Sequence, residues 1–349
     1  MTMQFRWFFV LFSAIALSAC NHGKAPSQRV VNLGIWSNYL APEAVADFEK
    51  RTGIKVQISN YSSNEELLAK LQAGGSDFDV IVPSDYMVYA MVRTGALRRL
   101  EMKKLPHAQG LDPRFLKKPF DPRNEYSLPY DWGTTGIAVN RALYAGEVRG
   151  WKDLFEKPDL SGKISLLDDA REVIGAALKE QGYSLNSHNA AELAKAKALL
   201  MRSRHRVKLF TSETLSSLTN AETSVAQAYV TDALQARRAT GGRVQYVLPE
   251  EGGTLWLDNL VIPAQAPHPD EAHALIDYLL EPKTVTTAVT QLFVSPANLD
   301  AISLLPEPLR KDPLIFPSAQ ALSKFEMIED LGDTARDWDR IWTEFKAAS

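Results

Sequence analysis

An acidic stretch near the middle of the chain combines residue types that can bind a charged group. Two leucines lead into Asp168 and Asp169, and Glu172 follows just before an apolar run. This pattern predicts a strand that ends where a helix begins. Residues three apart on a helix are neighbours, so Asp169 and Glu172 can face one cation together. The same pair also fits a helix-capping box, in which acids serve only the helix N-terminus. Both interpretations remain open at this point.

Further acidic, hydroxyl and aromatic residues follow other predicted strands. The aromatic candidates are Trp36, Tyr39, Tyr86, Tyr229 and Trp256. The polar candidates are Ser37, Ser84, Asp85, Asp131, Asp232 and Asp258. Trp256 and Asp258 fall on one side of an extended segment because side chains alternate along a strand. For Trp36, Tyr39 and Tyr86 the alternative is simple packing at the rim of a sheet.

This set of residues suits a flexible chain that carries an ammonium group at each end. Carboxylates would accept charge-assisted hydrogen bonds worth about 1.5 to 3 kcal/mol each. Flat aromatic rings would hold the methylene groups and contact the cations from their faces.

The elements that must position these residues alternate along the chain. Strands are predicted at 30–36, 54–59 and 78–82, with helices at 42–51 and 64–72 between them. This order predicts an α/β fold with a parallel sheet, whose ligands bind at the carboxyl ends of the strands. The second half repeats the pattern with strands at 136–140, 164–167, 225–229 and 244–248. Segments 129–135 and 251–263 are predicted to cross between two lobes.

Composition narrows the possible functions. The chain has 349 residues, enough for two domains, and a net charge of -3, which provides no basic field for nucleic acid. It contains no G-x-S-x-G, H-E-x-x-H, G-x-x-x-x-G-K or G-x-G-x-x-G motif. A carboxylate pair could hydrolyse glycosides, which leaves an enzyme as an alternative. We expect no enzymatic activity, no cofactor and no metal.

The N-terminus has the features of an export signal. Arg6 precedes an apolar run at 7–17 that is too short to cross a bilayer permanently, and Leu17-Ser18-Ala19-Cys20 follows. These four residues resemble a bacterial lipobox, which predicts a signal peptide at 1–19, a lipidated Cys20 and a tether at 20–29. An ordinary signal peptide cut after Ala19 is the alternative. We expect a periplasmic protein that touches a bacterial membrane only through its lipid anchor.

Several motifs together make the chain resemble the polyamine-binding extracytoplasmic proteins of ABC importers. They are Ile35-Trp36-Ser37-Asn38-Tyr39, Thr52-Gly53-Ile54-Lys55-Val56, Ser63-Asn64-Glu65, Asp79-Val80-Ile81-Val82-Pro83-Ser84, Asp168-Asp169-Ala170-Arg171-Glu172-Val173, Glu251-Gly252-Gly253 and Trp256-Leu257-Asp258. The resemblance implies a two-lobed periplasmic-binding-protein fold of type II character, with a ligand cleft between lobes joined by crossing strands. It also implies closure by hinge motion, a monomer, and an ABC permease partner in the inner membrane. The expected lobes are 30–135 with 258–303, and 136–257 with 304–349.

The resemblance also implies a ligand site and shows departures from the family pattern. At matching positions, Asp169, Glu172 and Asp258 would neutralise ammonium groups of putrescine or spermidine. The residues that would line the site by matching positions are Trp36, Ser37, Tyr39, Ser84, Tyr86, Asp169, Glu172, Trp256 and Asp258. Tyr229 replaces a tryptophan, Val294 stands near a missing tyrosine, and Ile328 replaces a glutamine. These changes leave open another cationic or small ligand on the same fold, or a ligand-sensing lipoprotein.

Overall fold

The computed structural model describes residues 28–73 and 77–348. The predicted signal peptide, Cys20 and the tether up to residue 27 lie outside the described residues.

Strands and helices alternate through most of the described chain. The strands are β1 Val30–Trp36, β2 Lys55–Tyr61, β3 Val80–Ile81, β4 Ser127–Asn140, β5 Ile164–Leu166, β6 Val207–Phe210, β7 Val225–Tyr229, β8 Val244–Val247, β9 Leu255–Val261 and β10 Ser295–Pro296. The helices are α1 Pro42–Thr52, α2 Asn64–Gln72, α3 Asp85–Arg93, α4 Trp151–Glu156, α5 Ala170–Glu180, α6 Ala190–Ser203, α7 Thr214–Thr219, α8 Val230–Ala239, α9 Pro269–Leu280, α10 Pro282–Leu292, α11 Leu299–Ile302, α12 Glu307–Arg310 and α13 Ala335–Ala347.

Local sequence sets several of these boundaries. Pro42 begins α1, and Gly53 ends it with a positive φ of 70°, a conformation in which glycine has no steric penalty. The Ser63 hydroxyl caps α2 by accepting a hydrogen bond from the amide of Glu66. These ends place the residues that follow β1 and β2 at the same edge of the sheet.

The strands form one continuous sheet in the order β2-β1-β3-β9-β4-β7-β5-β6, with β10 and β8 also paired to β4. The predicted parallel pairing is confirmed for β1 with β2 and β3, and β5 is parallel to β6 and β7. The prediction was incomplete, because β9 and β4 run antiparallel to their neighbours. We call the part built on β1–β3 the first lobe and the part built on β5–β8 the second lobe.

β4 and β9 connect the two lobes. Residues 127–134 of β4 pair with β9, whereas residues 135–140 pair with β7 and β8. The sequence predicted a crossing at 129–135 followed by a separate strand, but β4 is a single strand of 14 residues with a register shift between Pro129 and Asp131. All its residues are buried, so both faces are covered and alternation does not mark its course. Pro129 is accommodated because irregularities tolerate a missing ladder donor.

The second lobe is covered by α5, α6 and the C-terminal helix α13. Trp338 and Phe345 of α13 are fully buried in one cluster with Val173 of α5 and Leu199 of α6. Burial of such side chains stabilises a fold by roughly 1.5 to 3 kcal/mol each. This packing fixes the start of α5, which carries Asp169 and Glu172. Within the described residues, no helix combines the length and the apolar character needed to span a membrane.

Candidate ligand-binding site

One cavity between the two lobes is lined by twelve of the thirteen candidate residues that the sequence predicted. Its walls include Trp36, Ser37, Tyr39, Ser84, Asp85, Tyr86, Asp169, Glu172, Tyr229, Asp232, Trp256 and Asp258. The cavity has a volume of about 90 Å³. The first lobe and β9 provide one wall, and α5, β7 and α8 provide the opposite wall.

The cavity is strongly acidic. Among the described residues that line it there are six carboxylic acids and no lysine, arginine or histidine. The acids are Asp85, Asp169, Glu172, Glu213, Asp232 and Asp258. Arg171 is adjacent in sequence but does not line the cavity, and its guanidinium donates to the Glu329 carbonyl and to Asn186 at 2.9 and 3.1 Å. Carboxylates buried without a cation are costly.

Asp258 occupies the first-lobe side of the cavity. The Ser84 hydroxyl donates a hydrogen bond to its Oδ1 at 2.7 Å, and an isolated β-bridge joins the same two residues. The side chain is 5% exposed. Burial raises the pKa of Asp258 to about 7, against the opposing effects of the Ser84 and Tyr39 hydroxyls. The Tyr39 hydroxyl is buried beside Asp258 but makes no hydrogen bond of normal geometry to any described residue.

Asp169 and Glu172 have different roles on the second lobe. Asp169 caps α5, because its Oδ1 accepts hydrogen bonds from the amides of Arg171 and Glu172 at 2.8 and 3.2 Å. The capping interpretation is therefore correct for Asp169. Glu172 does not complete a capping box. Its carboxylate accepts hydrogen bonds from Thr135 of β4 at 2.9 Å and from Thr254, just before β9, at 2.7 Å. Burial raises the pKa of both acids, and the charge of Asp169 raises that of Glu172 further.

Asp85 and Asp232 lie at the starts of α3 and α8. Asp85 accepts a hydrogen bond from the Tyr86 amide through Oδ1 at 2.8 Å, whereas its buried Oδ2 has no partner among the described residues. Asp232 accepts a hydrogen bond from the Thr214 hydroxyl. Burial raises the pKa of Asp232 to about 6, opposed by the Thr214 hydroxyl. Both acids can therefore accept a cationic hydrogen-bond donor.

Three aromatic rings form a row across the cavity. The Trp256 ring centre lies 6.4 Å from that of Tyr39 and 6.3 Å from that of Tyr229. Trp256 can occupy this position because β4 has a glycine opposite it. A Cβ atom at Gly133 would lie 2.3 Å from the Trp256 ring. Tyr229 thus provides a ring wall, although the family pattern has a tryptophan there.

The remaining aromatic candidates use their polar atoms for structure. The Trp36 indole and the Tyr61 hydroxyl both donate to the Val82 carbonyl, at 2.8 and 2.6 Å. The Tyr86 hydroxyl accepts a hydrogen bond from Asn64 at 2.9 Å and donates to Glu65 at 3.2 Å. The Trp36 and Tyr86 rings pack at the rim of the sheet and also line the cavity. The packing interpretation and the site interpretation are therefore compatible for these residues. Trp36 and Tyr86 offer a ligand their ring surfaces.

Seven further residues line the cavity that were not predicted from the sequence. They are Asn38, Tyr61, Ser62, Asn64, Ser212, Glu213 and Thr231. Tyr61 and Ser62 end β2 and could have been found by the strand-end rule. Ser212 and Glu213 follow β6, a strand hidden in a basic segment that was not predicted as a strand.

The remaining positions singled out in the sequence are Asp131, Val294 and Ile328. Asp131 is buried and lies opposite Asp258 in the β4–β9 ladder, but it does not line the cavity. Val294 is fully buried in the core, and Phe293 packs beneath Arg238, so neither residue supplies the missing tyrosine. Ile328 does line the cavity.

Comparison with known proteins identifies the family. A family model of bacterial extracellular solute-binding proteins matches residues 43–317. The chain belongs to this family. This solute-binding protein is 37% identical over 350 residues to spermidine/putrescine-binding periplasmic protein 1 of Haemophilus influenzae, and the match covers 97% of each chain.

Solved structures agree with the two-lobed fold of this solute-binding protein. A candidate spermidine/putrescine ABC transporter protein from Listeria monocytogenes is 34% identical, with a TM-score of 0.86 over 92% of this chain and 100% of that chain. The TpPotD lipoprotein of Treponema pallidum is 27% identical, with a TM-score of 0.79 over 90% of this chain and 99% of that one. The predicted α/β periplasmic-binding-protein fold is confirmed.

Proposed function

We propose that this protein is the substrate-binding component of an ABC importer and binds polyamines, putrescine or spermidine, in the cleft between its lobes. The observation that carries this proposal is a cavity with six carboxylic acids, no basic side chain among its described lining residues, and a row of aromatic rings. An ammonium group would restore the hydrogen bonding and charge balance of the buried carboxylates. The relatives named for spermidine and putrescine support the same ligand class.

The arrangement of the acids suits an amine at each end of the ligand. Glu172 is held by Thr254, and Asp258 lies four residues further along the same extended segment. At about 3.3 Å per residue, the backbones of Thr254 and Asp258 are roughly 13 Å apart. The Trp256 ring lies between them in the chain and would cover the methylene groups of a bound diamine. Each ammonium would then have its own carboxylate partners.

Calorimetric titration tests this proposal. The chain from residue 20, carrying Cys20→Ser and stripped of bound ligand by unfolding and refolding, is titrated with putrescine, cadaverine, spermidine and spermine. We expect one or more of these amines to bind with micromolar or tighter affinity. The absence of heat with all four would reject polyamine binding. Asp169→Asn and Glu172→Gln should weaken binding, and turnover of a ligand that these substitutions abolish would instead indicate an enzyme.

The departures at Tyr229 and Ile328 favour one alternative that keeps the same site. Both residues line the cavity, and Ile328 provides no polar atom where the resemblance expects an amide. Another cationic ligand, taken up or sensed, could use the same acids with fewer polar partners. Binding that survives loss of both Asp169 and Asp258 would favour this alternative.

We also propose that Cys20 anchors the protein to a bacterial membrane, where it delivers its ligand to a permease as a monomer. The lipobox-like Leu17-Ser18-Ala19-Cys20 supports this proposal, and the similar Treponema pallidum protein is named a lipoprotein. The full chain should partition into the detergent phase after cell lysis. The Cys20→Ser variant should partition into the aqueous phase. Equal partitioning of both chains would reject the anchor and favour an ordinary signal peptide.

A further inference from the structure

A second cavity adjoins the ligand cavity. The two cavities share Asp85, Tyr86 and Ile328 as lining residues. The second cavity continues past them along α3 to Tyr89 and Phe120. We call this space the side compartment. Its lining joins apolar and aromatic side chains to acids, which is the same combination as in the ligand cavity.

Asp85 lies where the two cavities meet. It is the first residue of α3 and is only 3% exposed. Its Oδ1 accepts the amide hydrogen of Tyr86, which fixes the carboxyl orientation. Its Oδ2 is buried and has no hydrogen-bond partner among the described residues. A buried carboxyl oxygen without a partner is costly and is rare in folded proteins.

The surroundings of Asp85 favour a cation as the missing partner. Burial above all, with smaller contributions from Asp258 and Glu172, raises the pKa of the Asp85 carboxyl, and the Tyr86 amide and the Arg171 guanidinium only partly oppose this shift. Asp85 therefore lies within electrostatic reach of the acids on both sides of the ligand cavity. Further out, the side compartment is lined by the exposed acids Glu329 and Asp330 and by a single basic residue, Lys118. Acids therefore outnumber bases along this path.

The walls of the side compartment suit a short carbon chain. Tyr89 and Phe120 are half-buried, and Ile328 is 8% exposed. None of these three side chains carries a charge that would repel an ammonium, and aromatic faces attract one. A ligand arm that leaves the ligand cavity at Asp85 would therefore meet an apolar path with a carboxylate at its entrance.

We propose that Asp85 and the side compartment form a subsite for the third nitrogen of a triamine, with one arm of a spermidine-like ligand passing Asp85. This inference rests on the proposed function and deepens it. A diamine would fill the ligand cavity alone, whereas a triamine would occupy both spaces. Asp85 would then distinguish the two ligands by contributing more to the affinity for a triamine than to that for a diamine.

Titration of variants with putrescine and spermidine tests the subsite. We expect Asp85→Asn, which keeps the shape of the side chain, to weaken the binding of both amines, and the loss for spermidine to be at least ten times the loss for putrescine. Putrescine binding by the same variant also shows that it is folded. Equal losses for both amines, or no loss for either, would overturn the proposal.

Asp131→Asn is the matched control. Asp131 is also a buried acid with an unpartnered Oδ2, but it lines neither cavity. Its substitution should leave the ratio of spermidine to putrescine affinity unchanged. A change in this ratio equal to that of Asp85→Asn would show a general effect of removing a buried carboxyl and would overturn the subsite.

Two further measurements separate charge from shape. Tyr89→Ala removes a wall of the side compartment alone, so it should weaken spermidine binding and spare putrescine binding. One of the two mono-acetylated spermidines should lose affinity for the unmodified chain and become insensitive to Asp85→Asn. If both acetylated isomers respond to Asp85→Asn as spermidine does, no terminal nitrogen lies at Asp85, which would overturn the subsite for a ligand arm. Failure of the unmodified chain to bind any polyamine would instead reject the proposed function, and the subsite with it.

Discussion

At the scale of single residues, the site is defined by carboxylic acids that are buried without a cation. Asp258 and Glu172 are 5% and 4% exposed, and hydroxyl groups from Ser84, Thr135 and Thr254 are their hydrogen-bond donors. Hydroxyls orient a carboxylate but do not balance its charge. The raised pKa values follow from this arrangement. A cationic ligand would reverse the shifts, so ligand binding should release protons.

The first prediction concerns the pH dependence of affinity. Asp258 has a pKa of about 7 in the folded chain against an ordinary value of 3.8, Asp232 has a pKa of about 6, and Glu172 has a pKa of about 8. Below about pH 8, protons therefore compete with an ammonium for Asp258 and Glu172. Polyamine affinity should rise with pH between 5 and 8, by up to about tenfold per pH unit for each proton released, and level off above about pH 8. Calorimetric titration between pH 5 and 8.5 measures this.

Asp258→Asn is the control for this profile. It should weaken polyamine binding at pH 8 by about 1.5 to 3 kcal/mol, since one charge-assisted hydrogen bond is lost. It should also flatten the rise between pH 5 and 7. An unchanged profile would show that another acid controls the titration.

The stability of the ligand-free protein should show the opposite trend with pH. A carboxyl group whose pKa is raised by folding holds its proton more tightly in the folded state. Between about pH 4 and pH 7 the folded chain therefore binds more protons than the unfolded chain at Asp258. The contribution of Asp258 to the free energy of unfolding falls as the pH rises through this window. Denaturant unfolding of the ligand-free chain and of Asp258→Asn at pH 5 and pH 7.5 measures it, and an equal pH response in both chains would contradict it.

At the scale of elements, β4 and β9 hold the site together. β9 carries Trp256 and Asp258, and its partner β4 provides the glycine that makes room for the indole. Thr135 in the middle of β4 and Thr254 just before β9 hold Glu172 of the second lobe. The ring wall and the acids of both lobes therefore depend on the register of this one strand pair.

Gly133→Ala tests this dependence. The added methyl group would lie 2.3 Å from the Trp256 ring, so the ring must move. We expect at least a tenfold loss of polyamine affinity and a changed Trp fluorescence, with a cost in stability of roughly 1 to 3 kcal/mol from overpacking. Gly175→Ala is the control. Gly175 lies in α5, and a Cβ atom added there would lie 3.3 Å from Leu185, away from the rings. Unchanged affinity in Gly133→Ala would mean that the ligand does not contact Trp256.

At the scale of the whole molecule, the two lobes already touch across the mouth of the site. The Arg171 guanidinium of the second lobe lies 5.8 Å from the Tyr86 ring of the first lobe. The acids beneath are almost fully buried, so a ligand must enter through an opening motion. The predicted lobes at 30–135 with 258–303, and at 136–257 with 304–349, remain our proposal for the moving bodies.

Ligand binding should close and stabilise the molecule. In the ligand-free chain, acids from both lobes repel each other, which favours an open state, whereas a polyamine would bridge them. We expect a smaller radius of gyration by X-ray scattering with ligand. We also expect a gain of about 2.7 kcal/mol in the free energy of unfolding when the free ligand concentration is 100 times Kd. Asp258→Asn should lose most of this gain at the same ligand concentration. An equal radius of gyration with and without ligand would contradict hinge closure.

The sequence by itself determined the local elements and the residues at their ends. Its apolar periodicity placed β1, β2, β3, β5, β7, β8, α1 and α2. Residues at strand ends supplied ten of the twelve predicted residues that the cavity brings together, and side-chain alternation supplied Trp256 and Asp258. This succeeded because side-chain alternation and helix caps depend on neighbours in the chain. The acidic and aromatic character of the site was therefore evident before the fold was described.

Only the tertiary structure decided how these elements pair. The antiparallel course of β4 and β9, the short strand β6 with Ser212 and Glu213 after it, and the partners of Glu172 all depend on contacts between distant residues. The same is true of Asp85, whose unpartnered oxygen is visible only when all its neighbours are in place. Sequence periodicity reports which face of an element is buried, but it does not report which residues lie against that face. The side compartment beside Asp85 could therefore be found only in the folded chain.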